Sequence, residues 1–254
     1  MDEKTKNALI EFLIRLADDR LVLGHRLSEW CGHAPELEED IALTNIALDL
    51  TGECILFYDA AGELEGQGRK ADDFAYFRDE IDFKNLELVE QPNIDFGYTI
   101  ARQFFFDAWS FNLMQLLKDS AFEPLSAAAY KTVKEDCYHL RHSAEWIKRL
   151  GDGTEESHGR IQQAVDDLWR FTGEMFEIDE VVSALLQAGT IPALDNLKSE
   201  WDKTVNQVLS EATLKRPEDG YMATGARSGR HSEHLGHMLS EMQSLRRAYP
   251  EASW

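Results

Sequence analysis

The chain has 254 residues, 43% of them hydrophobic, with six Trp and thirteen Phe, which is enough for a sizeable core and excludes a disordered chain. The formal net charge of −21 argues against nucleic acid and against anionic membrane surfaces as partners, because both require clustered Lys and Arg. No signal peptide and no segment of membrane-spanning length is predicted, so we expect a cytoplasmic protein.

Helical periodicity dominates the first part of the chain. Leucines that recur at three- and four-residue steps predict a first helix over 5–31. Pro35 begins a second predicted helix, which runs to about Gly62. The apolar side of this second helix is predicted to consist of four residues, Ile41, Leu48, Ile55 and Tyr58.

The segment after the second helix has a weaker pattern. A polar connection that contains glycine covers 62–73, and 73–96 combines a short helix near 74–79 with an irregular stretch. The length and position of this segment predict the crossover that a ferritin-like bundle needs between its two helical hairpins.

The pattern of the remaining residues also predicts helices. A third helix is predicted over 96–119, and a fourth over 124–150 ends at a glycine-containing turn. Four further helices are predicted over 154–175, 178–188, 193–212 and 231–248, and a loop over 216–229. The prediction is an all-α protein, a ferritin-like four-helix bundle with additional C-terminal helices, in one domain over 1–254.

The three cysteines are predicted to be buried free thiols. Cys31, Cys54 and Cys137 are odd in number, form no Cys-x-x-Cys pair, and lie in or beside apolar helical stretches.

Acidic residues inside the apolar helical stretches are the candidate functional residues. A carboxylate in a core is costly unless it is paired, hydrogen-bonded or bound to a metal. Ferritin-like bundles hold two irons with one carboxylate from each of two helices and a Glu-x-x-His unit from each of the other two. The acidic candidates on the four predicted bundle helices are Glu29, Asp49, Asp107, and the pair Glu135 and Asp136.

The spacing of these residues departs from a complete di-iron pattern. On the fourth helix, Asp136 and His139 have the three-residue spacing that puts two ligands on one helical face, and Glu135 is an alternative to Asp136. On the second helix, the residue three after Asp49 is Gly52 instead of histidine, and Glu53 is displaced by one position.

Two interpretations of these carboxylates remain open. In the favoured one no metal binds, because a diagnostic histidine is missing and aspartate is shorter than glutamate. The carboxylates then pair with a basic side chain or hydrogen-bond to His139, the basic candidates being Arg26, Arg102, Lys134 and Arg141. In that case the following residues are vestiges of a metal site: Glu29, Asp49, Asp107, Glu135, Asp136 and His139. In the other interpretation a single ion is retained.

A second pair of histidines offers a weaker signal. His231 and His234 are three residues apart near the start of the last predicted helix. Such a pair can bind a metal, but capping or local hydrogen bonding is favoured here. The sequence contains no Gly-x-Ser-x-Gly, Walker or dinucleotide-binding motif, and no catalytic or cofactor-binding residue is predicted.

Long blocks of unusual composition occur in order along nearly the whole chain. They are LGHRLSEWCGHAPELE at 23–38, NIALDL at 45–50, LVEQPN at 88–93, IARQ at 100–103, KE and YHLR within 134–141, LWRFT at 168–172, and EHLG and SEMQ within 233–243. With these blocks the chain resembles the PaaC-type structural subunit of bacterial phenylacetyl-CoA oxygenase.

The resemblance implies a ferritin-like fold and a non-catalytic scaffold in phenylacetate breakdown. In that family the scaffold pairs with a homologous catalytic di-iron subunit, together with a further small subunit and a reductase that delivers electrons from NADPH. The complex epoxidises the aromatic ring of phenylacetyl-CoA. The resemblance therefore implies that iron and the electron supply belong to partner subunits, with no cofactor in this chain, which can form a homo-oligomer when alone.

Two rival functions are kept. A self-sufficient metal oxygenase would use Glu29, Asp107, Asp136 and His139 as ligands. A homodimeric acyl-CoA-binding module would need a basic pocket for the phosphates, for which Arg227 and Arg230 are the nearest candidates.

Overall fold

The computed structural model describes residues 1–252, and within them the chain folds into α-helices and three short 3₁₀ helices with no strand. The α-helices are α1 (Glu3–Ser28), α2 (Leu37–Glu65), α3 (Ala71–Tyr76), α4 (Glu87–Glu90), α5 (Phe96–Leu117), α6 (Glu123–Gly151), α7 (Glu155–Trp169), α8 (Glu180–Gln187), α9 (Leu197–Glu211) and α10 (Glu233–Ala248). The all-α prediction is confirmed, and the architecture is consistent with a ferritin-like bundle.

The four long helices form two antiparallel hairpins, α1 with α2 and α5 with α6, which meet through α2 and α6. The α1–α2 pair is close because Gly24 has no side chain. A Cβ at Gly24 would lie 3.3 Å from the carbonyl oxygen of Ala47 and 3.5 Å from Cβ of Leu50. This close approach aligns the inward-facing residues of the two helices.

The crossover between the hairpins is fastened to α1 by buried charges. Asp18 accepts hydrogen bonds from Tyr58, from Arg78 and from the backbone N–H of Lys84. The neighbouring Asp19 accepts a hydrogen bond from the backbone N–H of Leu86 at 2.7 Å. Two adjacent acids on α1 therefore hold the middle of the crossover, from Arg78 to Leu86.

The C-terminal helices pack against several parts of the bundle. α7 and α9 pack on α5, α8 packs on α1, and α10 packs on α3. Trp201 of α9 is buried, donates from Nε1 to the carbonyl oxygen of Phe105 at 3.0 Å, and lies 5.6 Å from Trp169 between ring centroids. This aromatic cluster joins the added helices to the bundle core.

A long-range ion pair ties the end of the chain to its beginning. In the loop after α9, Arg227 donates from Nη2 to Asp19 Oδ2 at 2.8 Å. The nearby Gly225 N–H donates to Glu174 at 2.8 Å. The loop predicted over 216–229 is thus an ordered cover fixed by buried carboxylates.

Some predicted boundaries are wrong. α1 ends at Ser28 and 29–34 form turns, because Gly32 adopts φ +79° in the left-handed region and Pro35 follows. The helix predicted over 154–175 ends at Trp169, and a 3₁₀ helix follows over Gly173–Phe176.

The predicted orientation of α2 is also wrong. Ile41, Leu48 and Ile55 are exposed, and of the four residues assigned to the apolar side only Tyr58 is buried. The helix is apolar on most of its circumference, so periodicity alone does not identify the side that faces α1.

α2 also corrects the prediction that no segment reaches membrane-spanning length. By length and composition α2 is long and apolar enough to cross a membrane. Its inner side packs against α1 and carries the buried Glu53, which is typical of the core helix of a helical bundle.

The prediction for the cysteines holds for one of the three. Cys54 is buried in α2, whereas Cys31 lies exposed in the turn after α1 and Cys137 is exposed on α6. All three are free thiols.

Candidate functional site

Five ionisable side chains meet in the centre of the bundle, and all are at most 1% exposed. We call them the buried charge cluster: Arg20 of α1, Glu53 of α2, Asp107 of α5, and Asp136 and His139 of α6. On α6, the three-residue spacing of Asp136 and His139 places both side chains on the same inward face of the helix.

Arg20 supplies the positive charge of the cluster. Its Nε donates to Glu53 Oε2 at 2.6 Å, and its Nη2 donates to Ser110 Oγ at 2.8 Å. The guanidinium also lies 4.9 Å from the ring centroid of Phe57. Burial lowers the pKa of Arg20, but the charges of Glu53 and Asp136 outweigh it and raise the pKa, so Arg20 stays a cation.

A chain of polar contacts runs from Arg20 through α5 to α6. Ser110 donates its hydroxyl proton to Asp136 Oδ2 at 2.8 Å. His139 Nδ1 lies 4.0 Å from the second oxygen of Asp136, and His139 Nε2 lies 3.2 Å from Asp49 Oδ2. Burial opposes protonation of His139, but the hydrogen bond with Asp49 and the nearby carboxylates outweigh it and raise the His139 pKa.

Asp107 is held by two neutral donors. Ser143 Oγ donates to it at 2.7 Å and Gln103 Nε2 donates to it at 2.6 Å. Burial raises the pKa of Asp107 to about 7, so this carboxyl is partly protonated near neutral pH. Burial also raises the pKa of Glu53 and of Asp136.

The donor set falls short of what two irons require. Glu53, Asp136 and His139 each bring one ligand atom to within 4.8 Å of the others, which is enough for one ion by number. Each of these three side chains has one buried polar atom that makes no hydrogen bond with the described residues; the atoms are Glu53 Oε1, Asp136 Oδ1 and His139 Nδ1. A second ion lacks ligands, because α1 contributes Arg20 where a carboxylate is needed and the residue three after Glu53 is Leu56. The residues present do not fit a di-iron centre.

Three of the residues singled out in the sequence lie together in this cluster: Asp107, Asp136 and His139. Asp49 lies at its edge, with a side chain that is 41% exposed. Glu135 is half-buried on α6, next to Asp136 in the chain, and is not a member of the cluster.

Glu29 is not part of the cluster. It is the C-terminal cap of α1, is exposed, and pairs with Arg26 at 2.7 Å and with Asn93 at 2.9 Å. It lies nine residues beyond Arg20, or roughly 13 Å along the helix axis at about 1.5 Å per residue. The ligand position expected from the first helix is thus occupied by Arg20.

The register on α2 differs by four residues from the one predicted. Gly52 lies on the outer side of the helix, half-exposed, and the residue that points into the bundle is Glu53. The histidine missing from a second Glu-x-x-His unit is therefore replaced by Leu56 and not by Gly52.

Sequence reasoning missed Arg20 and underrated Glu53. The signal for Arg20 is its place on an apolar face of the first helix: the residues three and four positions away are Leu16, Ala17, Leu23 and Gly24. A charge on such a face needs a partner from another helix.

The basic residues considered as partners lie elsewhere. Arg26 pairs with Glu29, and Arg102 donates to Asn93 Oδ1 at 2.8 Å and to the carbonyl oxygen of Gln91. Lys134 and Arg141 are exposed.

The other two candidate sites are occupied by internal contacts. His231 contacts Glu90 through Nδ1 at 2.6 Å and the carbonyl oxygen of Phe83 through Nε2 at 3.0 Å, so both ring nitrogens are engaged. This favours the predicted hydrogen-bonding role over a metal pair, although the partners are distant in sequence. Arg227 is bound to Asp19, which leaves it unavailable for a phosphate.

Comparison with known proteins agrees with the resemblance seen in the sequence. The model of the family described as "Phenylacetic acid catabolic protein" matches residues 1–254, the whole chain. A relative from Escherichia coli (strain K12), named as one of the subunits of 1,2-phenylacetyl-CoA epoxidase, is 48% identical over 248 residues, which cover 98% of this chain and 100% of the relative. The similarity thus extends over every helix that contributes to the buried charge cluster.

Proposed function

We propose the function of this chain from one premise: it belongs to the family of phenylacetic acid catabolic proteins. We infer that it is the non-catalytic structural subunit of a multicomponent di-iron oxygenase that epoxidises the ring of phenylacetyl-CoA. The Escherichia coli relative is named as part of a phenylacetyl-CoA epoxidase, which supports the activity of the whole complex.

One observation carries the structural role: Arg20 lies at the centre of the bundle, where a di-iron protein needs a carboxylate ligand. Its guanidinium neutralises Glu53 and, through Ser110, is linked to Asp136. A buried ionic network of this kind fixes the register of neighbouring helices more than it adds net stability. The cluster therefore favours a rigid scaffold over a site for oxygen chemistry.

The partners follow from this role. A homologous catalytic subunit would hold the iron, and a reductase would deliver electrons from NADPH to it, with a further small subunit in the complex. The complex would act in the cytoplasm. This chain would contribute binding surface and no redox group.

The rival function is a self-sufficient metal oxygenase, and one observation supports it. Glu53, Asp136 and His139 can supply three ligands to a single ion if Arg20 moves aside.

Metal content separates the two functions. After anaerobic incubation with Fe(II) and desalting, we expect well below one iron per chain, because Arg20 already supplies the cation of the cluster. The measurement is elemental analysis of the purified full-length protein. Two irons per chain, lost in His139→Ala, would contradict the scaffold function. A single ion lost in Glu53→Gln would show that Arg20 is displaced and would contradict the metal-free cluster.

Co-purification tests the scaffold function directly. When a tagged catalytic subunit of the same complex is co-expressed with this chain, we expect a stable hetero-oligomer, and turnover of phenylacetyl-CoA only when the reductase is added. Turnover by this chain without the catalytic subunit would establish the rival function.

A further inference from the structure

The outer side of α2 carries a row of exposed apolar residues. The exposed fractions are 71% for Leu37, 54% for Ile41, 64% for Leu48 and 45% for Ile55. At 3.6 residues per turn these four positions fall within roughly 40° of one another around the helix, and they span about 27 Å along its axis. Thr44, Asn45 and Thr51 separate these residues, so the row is a series of spaced apolar side chains. Four large apolar side chains exposed on one side of a single helix indicate an interaction site.

Gly52 gives an independent indication that another chain covers this row. It lies between Leu48 and Ile55 in the interior of a 29-residue helix, where glycine costs about 1 kcal/mol relative to alanine. A Cβ at Gly52 would meet nothing within 4 Å, so the packing of this chain does not require glycine there. The lack of a side chain does allow a second backbone to come close to α2 at this point.

The charges on α2 define the chemistry of the occupant. The helix has eight acidic residues and no Lys or Arg; the acids are Glu38, Glu39, Asp40, Asp49, Glu53, Asp59, Glu63 and Glu65. Glu53 is buried, and Glu39, Asp40, Asp49 and Glu65 contact other residues of this chain, which leaves Glu38, Asp59 and Glu63 near the two ends of the row to meet a partner. A second copy of this chain would bring acids against acids if the two α2 helices packed together. The occupant must instead present basic residues beside an apolar strip.

We propose that the outer face of α2, defined by Leu37, Ile41, Leu48, Gly52 and Ile55, is the docking surface for the catalytic subunit. The catalytic subunit meets it with a helical face that is apolar along its middle and carries Lys or Arg toward its ends. This assignment rests on the proposed function and names the surface through which that function operates. Asp49, on the flank of the same helix, contacts His139 and so links this surface to the buried charge cluster.

The first test is a charge inside the apolar row. Leu48→Glu is expected to weaken binding to the purified catalytic subunit at least 100-fold, because a carboxylate would be buried in an apolar interface. Leu245→Glu is the matched control, since Leu245 is also an exposed helical leucine but lies on α10. We expect the control to change affinity less than threefold. Both residues are exposed, so circular dichroism and the Tm of the isolated chains should match the wild type.

The outcomes of this test are distinct. If the wild type binds the catalytic subunit and Leu48→Glu binds equally well, the surface is wrongly assigned while the proposed function stands. If the wild type does not bind at all, the proposed function fails, and this docking surface fails with it. If sedimentation shows that the chain alone forms a dimer that Leu48→Glu dissociates, the occupant is a second copy and the proposal is overturned.

The second test uses the glycine. Gly52→Ala is expected to stabilise the isolated chain, with an unfolding equilibrium constant about fivefold smaller, from the helix propensity of alanine. The same change should weaken binding to the catalytic subunit at least tenfold, because the added methyl group blocks the close approach. Gly159→Ala on α7 is the control, since Gly159 is exposed and also has open space at its Cβ. It should stabilise the chain and leave the affinity unchanged. Unchanged affinity in Gly52→Ala would contradict the proposed interface.

Discussion

Replacing the buried arginine, Arg20→Met, is expected to lower the free energy of unfolding by about 3–5 kcal/mol, the effect of breaking a buried ion pair by removing one partner. Methionine fills a similar volume but leaves Glu53 and Asp136 without their cation, and burial already raises the pKa of both carboxyls. The measurement is urea unfolding followed by circular dichroism at about pH 7.5, where the uncompensated carboxylates are more costly than at acidic pH.

Two comparisons establish that charge and not volume causes this loss. Arg160→Met removes an exposed ion pair with Glu156 and should cost less than about 1 kcal/mol. The triple variant Arg20→Met, Glu53→Gln, Asp136→Asn removes all three charges and should recover most of the stability. If Arg20→Met alone unfolds at the same urea concentration as the wild type, Arg20 is not the cation that holds the cluster together.

The second large effect is a dependence of the folding stability on pH, which we expect from Asp107. Burial raises the pKa of Asp107 to about 7 from its ordinary value of 3.8. The folded state therefore holds a proton on Asp107 more tightly than the unfolded state does. The stability that Asp107 contributes is fully present below about pH 4 and is lost as pH rises to about 7 and beyond. At about 1.4 kcal/mol per pK unit, this loss is on the order of 4 kcal/mol at most.

Asp107→Asn removes this titration while keeping the size of the side chain. The amide of asparagine can still accept from Gln103 and contact Ser143. We expect the stability of the variant relative to the wild type to increase steadily between about pH 5 and pH 8. The measurement is urea unfolding of both proteins at several pH values in this range. Burial opposes protonation of His139, but the hydrogen bond with Asp49 and the charge of Asp107 raise its pKa, so the two titrations are coupled. The difference between the two proteins therefore reports Asp107 together with its effect on His139. Parallel stability curves would show that Asp107 does not titrate in this range.

The helices of the bundle could be predicted from the sequence because their apolar periodicity is local. The predicted first helix is too long at its C-terminal end. The positive φ of Gly32 ends the helix, and the apolar periodicity of the preceding residues does not reveal that backbone conformation. The side of each helix that faces the core is harder to predict. α2 is apolar on most of its surface, so Leu48 and Leu50 look alike in sequence, although only Leu50 is buried.

Only the part of the buried charge cluster that depends on local spacing could be predicted from the sequence. Asp136 and His139 could be identified because their spacing defines one face of a single helix. Arg20 and Glu53 come together from residues 33 positions apart, and only the packing of α1 on α2 determines that contact. Arginine is also not a metal ligand, so its residue type does not mark the ligand position that Arg20 occupies.

The ion pair between Asp19 and Arg227 has a consequence for how the protein is made. Asp19 belongs to the first helix that leaves the ribosome, and its partner follows 208 residues later. Until Arg227 is synthesised, α1 would bury a carboxylate that lacks this cation, which is unfavourable. The packing of the four bundle helices therefore lacks this ion pair until after all four have been synthesised. The C-terminal segment therefore stabilises the first helix of the bundle from 208 residues away.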